Sequence, residues 1–206
     1  MTTAGPARNR VSPSGVIIAA PGRGAWMGNR GRLHEGHASR DVVRNHQHKT
    51  WITCVLSFRG RRVAQWAPDR YTPLFFLDEA VALAAGHRPC GECRHHAYLT
   101  YRSLWNETHS ATTTYATKMD AQLHRERRDK TSHRACWIDL PDGAFVVTDF
   151  GPAVVVGGHL AVWDQDNIYR GKLLRPASGQ ATVLTPPSTV GILRAGYPVQ
   201  IDDAAR

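Results

Sequence analysis

The sequence predicts an α+β fold in which short strands and helices alternate through the centre of the chain and a β-rich half follows. Three observations carry that prediction. Between Leu74 and Trp105 the pattern runs from an apolar strand to a short helix, a glycine stop and a second helix. Tyr115 to Arg128 carries Ala116, Met119 and Leu123 at i, i+3 and i+7, the stripe of a helix packed on one side. From Trp137 onward, short apolar runs alternate with Gly-, Asp- and Ser-rich turns, which is the rhythm of an antiparallel sheet. At 206 residues the chain is long enough to bury a core without disulfides. It divides into a flexible tail (1–14), a basic segment with a helical module (15–135) and a β-rich segment packed on it (136–206), as one compact domain.

In order along the chain, Met1 to Ser14 is rich in Thr, Gly, Pro, Arg and Asn and reads as tail. Pro21 to Gly31 is a glycine-rich stretch whose backbone N–H groups suit a surface turn or a phosphate cradle, although it lacks the lysine and hydroxyl residue of a Walker loop. Trp51 to Phe58 is an apolar run ending at Arg59-Gly60-Arg61, which suggests a hairpin strand. Asp78 suits an N-cap, because its carboxylate can accept from free N–H groups of the first helical turn. Gly86 suits the position just past the helix end, where the backbone turns left-handed. Ala97, Tyr101, Leu104 and Trp105 give the next helix its apolar side. Leu140-Pro141-Asp142-Gly143 marks a turn. Strands follow at Ala144 to Thr148, Ala153 to Val156, His159 to Trp163 and Ala181 to Leu184. Pro186-Pro187-Ser188 then opens a short helix, Thr189 to Ala195, stopped by Gly196.

The chemistry concentrates at Pro89-Cys90-Gly91-Glu92-Cys93. A Cys-x-x-Cys at a helix start lowers thiol pKa values, and the thiolate is the form that binds metal. A redox dithiol and two inert buried thiols are the competing readings, but a redox pair belongs after a strand in a thioredoxin-like βαβ unit, which is absent upstream. Zinc is the ion this pattern favours, in a treble-clef-like module that sets a hairpin ligand opposite the helix-opening pair. Cys54 lies in such a hairpin. Three cysteines and one histidine form a common structural zinc set, whereas a water in the last position makes the ion catalytic. His34, His37, His46, His48 and His87 are candidates for the fourth ligand, with His34 preferred. Cys136 beside Trp137 reads as a buried thiol.

The run Phe75-Phe76, Glu79 to Gly86 and Arg88-Pro89-Cys90-Gly91-Glu92-Cys93 resembles the second half of the zinc domain of the Ada alkylation-repair family, over about residues 74–94. The resemblance implies zinc held by four cysteines, one of which accepts a methyl group from a DNA phosphotriester. This chain departs from that pattern: the family's first pair is Cys-x-x-x-Cys, whereas here Phe58 stands four residues after Cys54. The four-thiolate site is therefore incomplete.

Charge is unevenly distributed. Residues 1–70 hold 12 Lys and Arg against Glu35, Asp41 and Asp69, and so carry the whole net charge of +9. Basic groups interleaved with Trp26, Trp51 and Trp66 suit a polyanion, since Arg pairs with phosphate and unstacked bases lie on indole rings. Arg23, Trp26, Arg30, Arg59, Arg61 and Arg62 are the expected nucleic-acid contacts, with a solvated basic face as the competing reading. The leading expectation is a zinc protein that binds nucleic acid in DNA repair or modification.

The alternative is a zinc hydrolase or deaminase. His124-Arg125-Glu126 with Pro89-Cys90 and Cys93 resembles the His-x-Glu and Pro-Cys-x-x-Cys pair of the zinc nucleobase deaminases, in reversed order. Glu126 or His124 would then be general base, and Asp120, one helical turn before His124, its carboxylate partner. No apolar run approaches the roughly 18 residues of a membrane span. The few cysteines and the lack of a signal peptide predict a reducing cytoplasm.

Overall fold

A computed structural model describes residues 5–35, 41–60, 65–111, 113–129 and 133–206. His37, Arg61 and Arg62 lie outside the described residues. The fold is α+β, and its first sheet has the strand order β2-β1-β5-β3-β4-β6. These strands are β1 (Arg8–Val11), β2 (Ile17–Ala19), β3 (Trp26–Asn29), β4 (Ile52–Cys54), β5 (Leu74–Phe76) and β6 (Arg88–Pro89). The glycine-rich stretch is thus threaded by β3. Gly28 belongs there because a Cβ would come 2.4 Å from the Phe76 ring on the neighbouring β5.

Helix α1 (Glu79–Ala84) is buried on every side. Asp78 caps it as expected, accepting from Val81 N–H at 2.8 Å. It ends in a Schellman motif: Gly86 N–H donates to Leu83 O, His87 N–H donates to Ala82 O, and Gly86 has φ +86°. Helices α2 (His95–Thr108), α3 (Ala116–Glu126) and α4 (Pro187–Arg194) follow, the last with Pro187 in its first turn.

The second sheet is an antiparallel meander of β8 (Phe145–Thr148), β9 (Gly151–Val156), β10 (His159–Asp164) and β11 (Ile168–Leu174), and β7 (Arg134–Cys136) pairs with β12 (Gln180–Thr182). In β9, Val154 and Val156 face the core that holds α1 and the first sheet. Ala153 and Val155 face a second core with Tyr101, Met119, Leu123 and Ile192 from the helices. The alternation of side chains along a strand explains why this segment is apolar at consecutive positions: both faces are covered.

Three expectations need correction. Arg8 to Val11 is not tail: β1 pairs with β2 and β5, and Val11 is fully buried. Strand β11 was not foreseen because it is a mostly exposed edge, with Tyr169 its buried anchor. Cys136 is exposed rather than buried.

Asp78 and Glu79 tie the C-terminal segment to this core. Asp78 also accepts from Tyr169 Oη at 2.8 Å and Asp202 N–H at 3.0 Å. Glu79 accepts from Tyr197 Oη at 2.8 Å, Gln200 N–H at 3.1 Å and Arg94 Nη2 at 2.6 Å. Burial pushes the Asp78 carboxyl up to about 6, and its three hydrogen bonds only partly oppose that shift. A carboxyl raised on folding contributes stability that is full below its unfolded value of about 4 and is lost as the pH rises through 6. Denaturant unfolding from pH 4 to pH 7 should therefore show the stability gap between wild type and Asp78→Asn shifting against wild type by roughly 2–3 kcal/mol; a gap constant with pH would contradict this.

Candidate metal centre

The centre is built by strand pairing. β4 lies antiparallel to β3, with Cys54 opposite Met27. β4 also lies parallel to β6, with Ile52 opposite Arg88 and Thr53 opposite Pro89. The ladder continues as Cys90 N–H donates to Thr53 O at 3.0 Å, so Cys54 and Cys90 leave adjacent strands side by side. The chain then turns, Arg94 N–H donates to Cys90 O, and Cys93 is returned to the same spot before α2 begins.

The Sγ atoms of Cys54, Cys90 and Cys93 all lie within 4.8 Å of one another, and the three thiols are free of disulfides. Tetrahedral zinc with Zn–S bonds of about 2.3 Å needs sulfurs roughly 3.8 Å apart, which small rotamer shifts supply. The group could hold a metal ion. Backbone N–H groups already point at the sulfurs: Glu92 N–H lies 3.4 Å from Cys90 Sγ, Cys93 N–H supports the same atom, and Val55 N–H supports Cys93 Sγ. The Cys54 hydrogen bond, with those N–H groups, pulls Cys90 down to about 5 against the opposing effect of burial. Cys54 moves up through its bond to Cys90 and through burial, and Cys93 moves up mainly through burial. Cys90 is thus the sulfur of the three that receives the most hydrogen-bond donors.

One side of the cluster opens into a cavity of about 670 Å³ whose lining includes Tyr71, Arg70, Glu92 and Phe58. Burial, with the neighbouring sulfurs, pushes Tyr71 up to about 12, so it stands there as a neutral phenol. Sequence reasoning missed Tyr71 and Arg70, because neither sits in a motif.

The preferred fourth ligand is elsewhere. His34 is buried, its Nε2 donates to Ala67 O at 3.1 Å, and its Nδ1 meets Thr72 Oγ1 at 2.6 Å, so both ring nitrogens are engaged. His87 packs on Trp51 and Phe76 and accepts from Arg30 Nε. His46 lies against Trp51 and His124. Among the described residues, then, the cysteine cluster gains no histidine.

The acid/base trio does not converge on the sulfurs either. Arg88 grips Asp120 through two bonds, of 2.8 and 2.9 Å, with both side chains buried, and Thr50 Oγ1 adds a third at 2.9 Å. His124 turns instead to His46 and Arg127. Glu126 accepts from Ser188 Oγ and N–H at the start of α4, and from Gln122. Asp120 has a positioning role: its grip on Arg88 anchors β6 two residues before Cys90.

The expected nucleic-acid residues are dispersed. Arg23 and Arg59 are exposed. Arg59 lies over the Phe58 ring at 5.0 Å, beside the cavity. Trp26 is half-buried, its indole N–H donates to Gln200 Oε1, and Arg94 stacks on its ring at 4.0 Å. Arg30 is wholly buried rather than exposed on the surface.

No protein-family model matches this chain, and no curated protein or solved structure matches it.

Asp120→Ala should destabilise the fold by about 3–5 kcal/mol, because it strands the buried Arg88 charge. Urea unfolding of the variant checks this, and a loss below about 1 kcal/mol would show that Arg88 finds another partner.

Proposed function

We propose that this protein binds zinc through Cys54, Cys90 and Cys93 in a treble-clef-like module and uses the basic rim of that site to bind nucleic acid, in the repair or modification of DNA. The convergence of three thiol groups on the wall of an open cavity beside Arg59 and Arg70 is the observation that carries this reading. The antiparallel β3–β4 pair, the turn at Cys90 to Cys93 and α2 support the comparison with a treble clef, although a long connection rather than a tight hairpin joins β3 to β4. The resemblance of residues 74–94 to the Ada zinc domain supports the same assignment. Cysteine-rich zinc ligation is consistent with a reducing cytoplasm, where the thiols stay available.

Zinc held by three cysteines would act as a Lewis acid at its fourth position and could activate a water there. The openness of that position favours a second reading, hydrolysis or deamination at the same site. In that case Glu92, the carboxylate lining this cavity, takes the place of Glu126 and His124 as general base.

Protein purified without added metal should contain one zinc per chain with three sulfur ligands by X-ray absorption. Cys54→Ser should lose most of it and His34→Ala should keep it. A metal-free protein with three intact thiols overturns both readings. Binding of single-stranded DNA should weaken with salt, and Arg59→Ala should lower the slope of log K against log salt by about 1. Salt-independent binding would remove the nucleic-acid assignment and leave the zinc assignment standing.

A further inference from the structure

A second site lies away from the cysteine cluster. A cavity of about 260 Å³ is lined by Arg30, Arg127, Arg128, His46, His124 and Trp51, among others. Among the described residues, every ionisable group in its lining is basic and no carboxylate lines it.

The arrangement at Trp51 is the unusual feature. The guanidinium carbons of Arg30 and Arg127 lie 3.8 and 3.9 Å from the Trp51 ring, so one indole carries two cations. Both arginines are buried, at 0% and 8% exposure, and no ion pair joins either to a carboxylate among the described residues. Asp120 is the acidic group whose charge Arg127 feels, and its oxygens are committed to Arg88 and Thr50.

Backbone carbonyls take part of the load. Arg30 Nη1 donates to Gly15 O, and Arg127 donates to Gly86 O through Nη1 and to Lys49 O through Nη2. Among the described residues, Arg30 Nη2 and Arg127 Nε remain buried without a hydrogen-bond partner. A buried cation left short of acceptors is costly, and cation–π contact offsets only part of that cost. Burial and the charge of Arg127 accordingly press Arg30 well below the usual arginine range. The same arginine depresses His46 and His124, after burial.

We propose that this pocket is a binding site for a phosphate group. Two cations packed on one ring, with Arg128 at the rim, call for a multiply charged anion rather than a single carboxylate, and the two imidazoles can add N–H donors. Planar guanidinium forks match phosphate oxygens. The volume suits a small anion or the end of a longer ligand, and His46 and Arg128 keep an exposed side for entry. The phosphate could come free or on a small molecule, or as the terminal phosphate of a nucleic-acid strand. The site shares no lining residue with the cysteine cavity, so it stands whether or not the zinc reading holds.

The test uses the full chain with inorganic phosphate, titrated by calorimetry and thermal shift at ionic strength held constant with sodium chloride. Saturable binding is expected, with a melting temperature that rises as the phosphate concentration passes the dissociation constant. Arg30 is part of the buried interior, so the exposed rim is changed instead: His46→Gln and Arg128→Gln should each weaken phosphate by about tenfold while leaving unfolding in the absence of phosphate unchanged. Paired oligonucleotides separate the sources. Tighter binding of the 5′-phosphorylated strand than of its 5′-hydroxyl twin, relieved by phosphate, assigns the site to a strand end. Equal binding of the two, with phosphate still saturable, assigns it to a free or small-molecule phosphate. No response beyond that to chloride, or equal phosphate affinity in both rim variants, overturns the proposal.

Discussion

The parallel pairing of β4 with β6 is two residues long, yet Cys54 meets Cys90 and Cys93 only because of it. A parallel pair needs a long crossover, and here β5 and α1 fill it. Each part of the crossover is held separately. α1 is buried on all sides, and its start is fixed by the Asp78 cap. Its end is fixed at Gly86, where φ is +86° and a Cβ would meet the Arg127 side chain at 3.0 Å. A larger residue there would suffer strain and a clash together. Arg88 then locks the returning strand to α3 through Asp120. The cysteine cluster is therefore defined by backbone pairing and a buried ion pair before any ion is considered.

The same framework separates the charges that the sequence groups together. The first third of the chain carries the whole positive excess, yet its described arginines meet different surroundings. Arg30 is drawn onto Trp51 inside the protein, Arg10 donates to Gly22 O within the first sheet region, and Arg59 stays exposed beside the cysteine cavity. Composition gives the sign of a region's field, whereas side-chain direction decides whether a charge meets solvent, a ring or a carbonyl.

That distinction explains how far the sequence could be read. Strand, cap, glycine stop, knuckle and helix between Leu74 and Thr108 were legible because each is a local event: an N-cap, a left-handed residue, a change of period. Cys54 was legible as a partner because it sits in an apolar hairpin run. β1 was not, since Arg8-Asn9-Arg10-Val11 shows no apolar alternation and is held by main-chain pairing to residues far along the chain. His34 was plausible as a ligand by residue type, but Thr72, 38 residues on, and Ala67 claim its nitrogens. Glu126 likewise reads as a general base until Ser188 is seen to occupy it. Long-range polar partners leave no mark in a single sequence.

The two candidate sites sit at opposite ends of one short element. Trp51 immediately precedes β4 and Cys54 ends it; on the facing strand His87 precedes β6 and Cys90 follows it. Arg88 N–H donates to Trp51 O, and Cys90 N–H donates to Thr53 O, so the ladder runs unbroken from the cationic ring to the sulfurs. Three residues of strand span about 10 Å, close enough for one ligand to touch both sites only if it is extended. Coupling between sites requires an element with two discrete arrangements. Here the connecting element is a sheet strand flanked by neighbours and pinned by the buried Arg88–Asp120 pair, so a second arrangement would have to break that pair. An anion at Trp51 and a metal at Cys54 would thus be held on a common rigid strut, and their mutual influence would travel mainly through the electrostatic field rather than through a change of shape.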